Sequence, residues 1–482
     1  MATITEGRSP TMAEALISLF SLVVGIGVSI AVFGLSPHIP MLFGVLVASL
    51  MAMRCGFSWN TIQEGMMRGI SNALTSIVIL MIVGILIGVW ILGGVVPTLV
   101  YYGLKIMEPH YFLPAAVLIC SIASLATGTS WGTTGTIGVA LMGVGAGLGL
   151  PLPVVAGAVL SGAYFGDKMS PLSDTTNLAP VMAGTDLFTH IRHMMYTTFV
   201  SYTIAFVIYV VIGLRFEPGT GELGRIDTIL ATLDQTFVIH PLLMLPPLLV
   251  LVVSFRKMPA IPGIGLGAIA GIVCAFVAQR ADYATVINAA MSGYQAETGV
   301  ADVDVLLSRG GLESMLFTVS LVIVAMMFGG VMERTGQIRT IALRILAMAR
   351  STGSLILASA LTAIGSNFLL CDQYMSLVMT GRMYASAYRE RGLAPENLSR
   401  VTEDAGTVVD PLVPWGSGGA YQTATLGVAT IAYFPFAFFC WISPLVTILF
   451  GFMGWTITRL PEVAADEEAE PMPAGASPAA DG

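Results

Sequence analysis

Apolar runs of about twenty residues or more, at positions 13–35, 72–94, 194–214, 312–332 and 433–456, set the terms on which this chain can fold. A helix of about 20 apolar residues crosses roughly 30 Å of hydrocarbon. Backbone placed there must satisfy its own hydrogen bonds, and uninterrupted runs of this length do so as helices. Shorter apolar runs occupy 40–53, 240–254 and 262–277. Composition agrees: 55% of residues are hydrophobic and 10% charged, where a soluble domain carries about 25% charged. The run 13–35 is long enough to span and shows no small-residue cleavage site, so it reads as the first membrane helix rather than a secretory signal. Cys55, Cys120, Cys274, Cys371 and Cys440 have no CxxC spacing, which argues against a disulfide framework or a zinc site. The net charge of -8 owes much to a Pro- and Ala-rich acidic tail, expected to be disordered.

Other apolar stretches, 110–150, 154–180, 352–380 and 402–430, are interrupted by Gly, Pro and polar residues. The order of segments repeats across a polar linker, the signature of a duplicated transporter fold. Each half has two spans, a short amphipathic stretch (61–70 and 284–295), a long span ending in Gly93-Gly94 or Gly329-Gly330, and then two broken runs. Gly329 follows Gly93 by 236 residues, and Gly166, Pro171 and Leu172 recur as Gly406, Pro411 and Leu412 at a spacing of 240. The expected fold is therefore an all-α polytopic membrane protein. It has an N-terminal cytoplasmic segment (1–12), a first transmembrane repeat (13–215), the linker (216–237), a second repeat (238–458) and the acidic tail (459–482). Each repeat holds about five membrane helices, a re-entrant hairpin and a discontinuous helix, and this count inverts the second repeat relative to the first. With a cytoplasmic N-terminus, the inside loops hold most of the 21 Lys and Arg, against five outside and Lys168 within the membrane. That bias is the one expected of a bacterial inner-membrane protein with both termini in the cytoplasm.

The chemistry lies in the broken runs. Residues 127–136 carry six hydroxyls and three glycines in ten positions, and irregular backbone at membrane depth is tolerated only where it is buried in protein or lines a wet cavity. Close helix packing would use small residues at every fourth position rather than in a solid run. Thr129, Ser130, Thr133 and Thr134 are the candidate ligands there. In 162–177, Asp167, Lys168 and Asp174 sit between apolar segments, and Pro171 removes a donor and breaks the helix. Freed carbonyls together with Ser173, Thr175, Thr176 and Asn177 suit a hard cation such as sodium. The matching element, 402–419, contributes Asp404 and Asp410 and two prolines, with Glu403 read as a helix cap at the cytoplasmic edge. An intramembrane carboxylate is by default a functional candidate. The second hairpin adds Ser366, Asn367 and Asp372, the last equally readable as a hairpin-end residue paired to an Arg. The expected sodium ligands are Asp174, Thr175, Asn177 and Asp410, with Asp174 as the first-choice coupling carboxylate. Asp167 comes second because Lys168 could neutralise it. The five histidines lie mainly near span ends, and the absence of a GK[ST] phosphate loop argues against ATP drive.

The run GTSWGTTGTIG (128–138) and the run GAYFGDKMSPLSDTTNLAP (162–180) resemble those of the NhaC-type sodium/proton antiporters, as do GGLESML (310–316) and GGVMERTG (329–336). The similarity covers nearly the whole chain except the tail. It implies sodium efflux coupled to proton entry, kinship with hairpin-bearing inverted-repeat elevator transporters, and a homodimer. The expected function is sodium/proton antiport, with sodium and protons as transported ligands, the bilayer as surroundings, no cofactor and no nucleic-acid partner. The alternative is a sodium- or proton-coupled carboxylate exchanger of the malate/lactate type, in which hairpin hydroxyls, half-helix N-termini and Lys168 hold the anion. An intramembrane enzyme would need a nucleophile–base pair or a metal motif such as HExxH, and neither is visible.

Overall fold

The computed structural model describes residues 7–460 apart from 34, 217–221 and 257, so the acidic tail from 461 onward lies outside the described residues. The described chain is helical, and its one β pairing is an isolated bridge between Leu393 and Arg459. Among the described residues six helices are long and apolar enough to cross a membrane, or up to eight if two bent pairs each count as one span. Phe199, Val273 and Leu449 point outward from these helices, and Phe20 and Phe43 from the shorter apolar helices Met12–Gly27 and His38–Arg54, the surface expected against lipid rather than water.

At the centre, Trp59–Leu92 crosses Leu312–Arg334 at backbone contact. A Cβ on Gly69 would lie 2.0 Å from the Met326 carbonyl oxygen, and one on Gly330 would lie 2.2 Å from that of Gly65. Small residues allow this approach, and in lipid such close dispersion contact is what holds helices together. The amphipathic stretch 61–70, expected as a separate element, is instead the first part of this 34-residue helix. No proline interrupts it, and its glycines pack against the partner helix instead of opening a turn. Its counterpart in the second half does stop: the helix Tyr283–Ser292 ends at Gly293, whose φ of +87° and close fit against Gly310 admit no side chain. The linker also carries structure. Glu222–Thr236 is a helix, with Ile229 and Leu233 buried four residues apart on one face.

Two helical hairpins follow the central helices. In the first, Pro109–Thr127 turns at Gly128 and Thr129 and returns through Ser130–Thr133, a π-turn at Thr134–Gly138 and Val139–Gly147. In the second, Thr352–Leu370 turns at Cys371 and Asp372 and returns as Gln373–Glu390. Each turn is made by one left-handed residue, Gly128 (φ +71°) and Cys371 (φ +59°). Each hairpin is followed by a broken helix, Leu152–Met169 with Asp174–Ala183 in the first half and Pro395–Thr402 with Ser417–Leu426 in the second.

The helix Leu187–Arg215 shows how the hairpins are oriented. Its 29 residues span roughly 43 Å at about 1.5 Å per residue. Near its start, His190 pairs with Ser399 at 2.8 Å and His193 donates to the Thr456 carbonyl at 2.9 Å. The open end of the second hairpin lies on that side, where Arg391 donates to the Ser351 carbonyl and Ala394 to that of Thr458. Near its far end, Gly213 packs against the His110 carbonyl at the open end of the first hairpin. The hairpins therefore enter from opposite ends of a membrane-spanning helix. In a cysteine-free variant, single cysteines at exposed Pro151 and Glu390 should react with an impermeant thiol reagent from opposite sides of the membrane. Labelling of both from one side would contradict this arrangement.

Candidate cation-binding site

The site is assembled where hairpin tips meet helix breaks. At the first tip a Cβ on Gly128 would lie 2.7 Å from Leu172 in the break, so only glycine fits. Thr129 caps the returning helix by accepting from Gly132 N at 3.2 Å. Ser130 donates both its backbone N–H (2.9 Å) and its hydroxyl (2.6 Å) to Asp167 Oδ2. At the second tip Asp372 accepts from Met375 N at 3.0 Å. There the break reaches the turn through Ser417 N to the Cys371 carbonyl (2.8 Å) and Trp415 Nε1 to that of Phe368 (2.9 Å). The caps Thr129 and Asp372 stand 243 residues apart, and so do the caps Ser173 and Gly416.

Much of the hydroxyl-rich sequence closes its own backbone. Thr133 donates to the Thr129 carbonyl and Thr134 to that of Trp131, the back-bonding that Ser and Thr make inside helices. Thr176 donates to the Lys168 carbonyl, and the Asn177 amide to those of Pro171 and Ser173. Ser366 donates to Thr362 and Asn367 to Gly406. These bonds make the breaks tolerable at membrane depth, and because each side chain donates in them, its oxygen lone pairs are not used up.

A cavity of about 1110 Å³ opens beside the tips. Among the described residues its charged groups are three carboxylates: Asp167 and Asp372, both buried, and Asp174, exposed into the space. Thr127, Thr129, Ser173 and Thr175 add hydroxyls, and Asn177 an amide. The helix Trp59–Leu92 contributes Asn72, Thr75 and Ser76, a polar stripe at helical spacing that the sequence reading passed over. Among the described residues no Lys, Arg or His lines the cavity.

Behind the cavity lies a buried polar layer that joins the two halves. Lys168 is ion-paired with Asp404, both side chains fully buried. Thr197 and Ser443 donate to the same carboxylate at 2.7 and 3.1 Å. Lys168 thus neutralises Asp404 rather than Asp167, contrary to the expectation that ranked Asp167 second. Glu403, read as a cap at the cytoplasmic edge, is instead fully buried and accepts from the Thr175 hydroxyl at 3.1 Å. Its position was legible: Glu403 and Asp404 follow Asp167 and Lys168 by 236 residues, the offset of Gly329 from Gly93. Asp410 is buried against the Gly418 backbone, away from the cavity lining, and neither of its oxygens has a well-formed hydrogen bond. The four expected sodium ligands are therefore not gathered: Asp174, Thr175 and Asn177 border the cavity, and Asp410 does not. Among the described residues no group of three His, Cys, Asp or Glu stands ready for a metal. A site for a hard monovalent cation is built from carboxylate, hydroxyl and carbonyl oxygens instead.

Known proteins resemble this chain over most of its length. The family described as the Na+/H+ antiporter family matches residues 9–164 and 162–455. The chain is 42% identical to the Na(+)/H(+) antiporter NhaC of Alkalihalophilus pseudofirmus over 448 residues, 93% of this chain and 96% of that one. It is 39% identical to the malate-2H(+)/Na(+)-lactate antiporter of Bacillus subtilis over the same shares of each. It is 38% identical to the Na(+)/H(+) antiporter NhaC of Bacillus subtilis, over 86% of this chain and 92% of that one.

The buried pair makes a stability prediction. Removing one partner leaves an uncompensated charge at a cost of about 3–5 kcal/mol, whereas replacing both with apolar groups is close to neutral. Lys168→Met should sharply lower the thermal unfolding midpoint of the purified protein, and Lys168→Met with Asp404→Leu should recover most of the loss. Equal, additive losses from the two substitutions would show that the pair is not coupled.

Proposed function

The chain belongs to the Na+/H+ antiporter family, and from that premise we propose that it exports sodium from the cytoplasm in exchange for protons. The setting is a bacterial inner membrane, with both termini on the cytoplasmic side and two repeats related by inversion. The hairpins' opposite entry supports the inversion, and the distribution of arginines supports the orientation. The observation that carries the choice of cargo is the cavity's charge: three carboxylates and no cation among the described lining residues.

The carboxylate-exchanger reading needs a positive group for its anion. Lys168, which kept that reading open, is spent on Asp404 and lies fully buried. The helix N-terminus at the first tip, another natural anion site, is already occupied by Asp167. A substrate carboxylate would therefore meet three like charges, while a cation meets three opposite ones.

The exchange chemistry follows from the same groups. A carboxylate as buried as Asp167 or Asp372 must have its charge compensated, by a cation or by a proton. One carboxylate cannot be fully engaged by both, so each ligand displaces the other, and exchange needs no separate coupling device. Asp167 is the carboxylate best placed for this. One of its oxygens is fixed by Ser130, which holds the group at the cavity wall. Asp174, at the first position of its helix and exposed, is placed to attract and pass on the ion. The cavity is also bordered by Ser254, Met258 and Pro259. These flank Arg256, which the charge bias assigns to the cytoplasm, so the cavity opens where sodium is to be collected.

The amide of Asn is nearly isosteric with the carboxylate but neither titrates nor carries charge. Charge-assisted contacts of about 1.5–3 kcal/mol correspond to roughly 10- to 100-fold. In purified, reconstituted protein, Asp167→Asn should reduce sodium-dependent proton flux by at least that factor. Asp174→Asn should raise the half-saturating sodium concentration with a smaller effect on the maximal rate. Near-normal exchange by Asp167→Asn would remove it from the coupling role.

A further inference from the structure

The two broken helices end differently, although their ends correspond. Asp174–Ala183 is capped by Gly184 and Ser417–Leu426 by Gly427, both left-handed, with φ of +91° and +71°. The two caps stand 243 residues apart, the spacing already seen at the tips. At Gly184 nothing lies within 4 Å of where a Cβ would stand. At Gly427 a Cβ would fall on the guanidinium of Arg309, whose Nη2 donates to the Leu426 carbonyl at 2.8 Å. Among the described residues no carboxylate pairs with Arg309. Its charge is answered instead by the carbonyl end of that helix, where a cation is favoured.

Arg309 itself is held by the central crossing. Its carbonyl accepts from Tyr294 N at 3.2 Å, and Gly311 N, two residues on, donates to the Gly84 carbonyl of Trp59–Leu92 at 2.7 Å. It precedes Leu312–Arg334, whose 23 residues cover roughly 34 Å at about 1.5 Å each. Arg334, at the far end, pairs with Glu64 near the start of Trp59–Leu92. The cavity takes Asn72, Thr75 and Ser76 from nearer the Glu64 end of that helix, whereas Gly84 lies nearer the other. Arg309 is therefore on the side away from the cavity's opening.

The bond from Arg309 to Leu426 thus ties the central crossing to a broken helix on the closed side. A carrier exposes its site to one side at a time by moving one part of the fold against the other. The helix end facing the open side is free and the end facing away is held, as one state of such a cycle requires. We propose that Arg309 is a latch, which keeps the cavity closed to the periplasm and is released when the site turns outward. The inference rests on the chain being a carrier with its cavity facing the cytoplasm, and adds the residue that holds it in that state.

The test is labelling of the full-length, otherwise cysteine-free protein in right-side-out and inside-out vesicles with an impermeant thiol reagent. Thr425→Cys, at a buried position beside Leu426, reports the closed side, and Asn72→Cys, at the cavity wall, reports the open one. Arg309→Ala should raise the periplasmic labelling rate of Thr425→Cys about ten- to a hundredfold, the scale of one charge-assisted hydrogen bond. The cytoplasmic rate at Asn72→Cys should not rise, whereas a merely loosened fold would raise both. If Arg309→Ala does not fold, Arg309→Gln should raise the periplasmic rate by a smaller factor. An unchanged periplasmic rate in the folded variants, or a rise at both positions together, would overturn the inference. Neither reading uses sodium, so a wild type that fails to exchange sodium for protons defeats the antiporter reading and leaves this test to decide the latch separately.

Discussion

In hydrocarbon an unpaired backbone N–H or C=O has no water to turn to and costs several kcal/mol, so a helix can break at membrane depth only where something else supplies the missing partner. Here each break is completed by a hairpin turn from its own half. Ser417 N bonds to the Cys371 carbonyl in the second half, and the Ser170 hydroxyl bonds to that of Leu125 in the first. The hairpins and the breaks therefore depend on each other, and neither would be stable at that depth alone. Because they must meet, their polar side chains converge, and the carboxylates at the cavity follow from backbone accounting as much as from selection for a ligand.

The Lys168–Asp404 pair extends this dependence across the two halves. It joins the end of Leu152–Met169 to the segment after Pro395–Thr402, with Thr197 and Ser443 completing the carboxylate's hydrogen bonds. A buried pair with its remaining bonds satisfied contributes little net stability but penalises separation heavily. The two broken helices are thereby tied as one unit. A displacement at either tip, where Ser130 holds Asp167 in the first half and Asp372 caps the turn in the second, is then felt by both halves together. The glycine-lined crossing of Trp59–Leu92 with Leu312–Arg334 is by contrast apolar and tightly interlocked, a frame against which that unit is set.

The helical class, the hairpins and the breaks were legible because each has a local cause: apolar length, dense Gly and hydroxyl composition, and Pro171 or Pro411. The carboxylates were legible as rare charges in apolar surroundings. Which of them share a cavity was not, because that depends on contacts between residues more than two hundred positions apart. Thus Lys168 was assigned to its neighbour Asp167, although it reaches Asp404, and Asp410 was grouped with Asp174, although it lies against Gly418. The sequence also does not say which carbonyls the hydroxyls of Thr133, Thr176 and Ser366 donate to. Asn72, Thr75 and Ser76 were passed over because the apolar length of their helix masked a polar face at three- and four-residue spacing.

A carboxylate-lined cavity that exchanges a cation for protons needs no other component to move both across the bilayer. The most direct test uses liposomes containing only this protein, loaded with sodium and an internal pH indicator and diluted into sodium-free buffer at equal pH. The account predicts acidification of the lumen as sodium leaves, saturating with sodium concentration and unaffected by malate or lactate on either side. No sodium-dependent pH change, with proton movement appearing only when a carboxylate gradient is imposed, would contradict it.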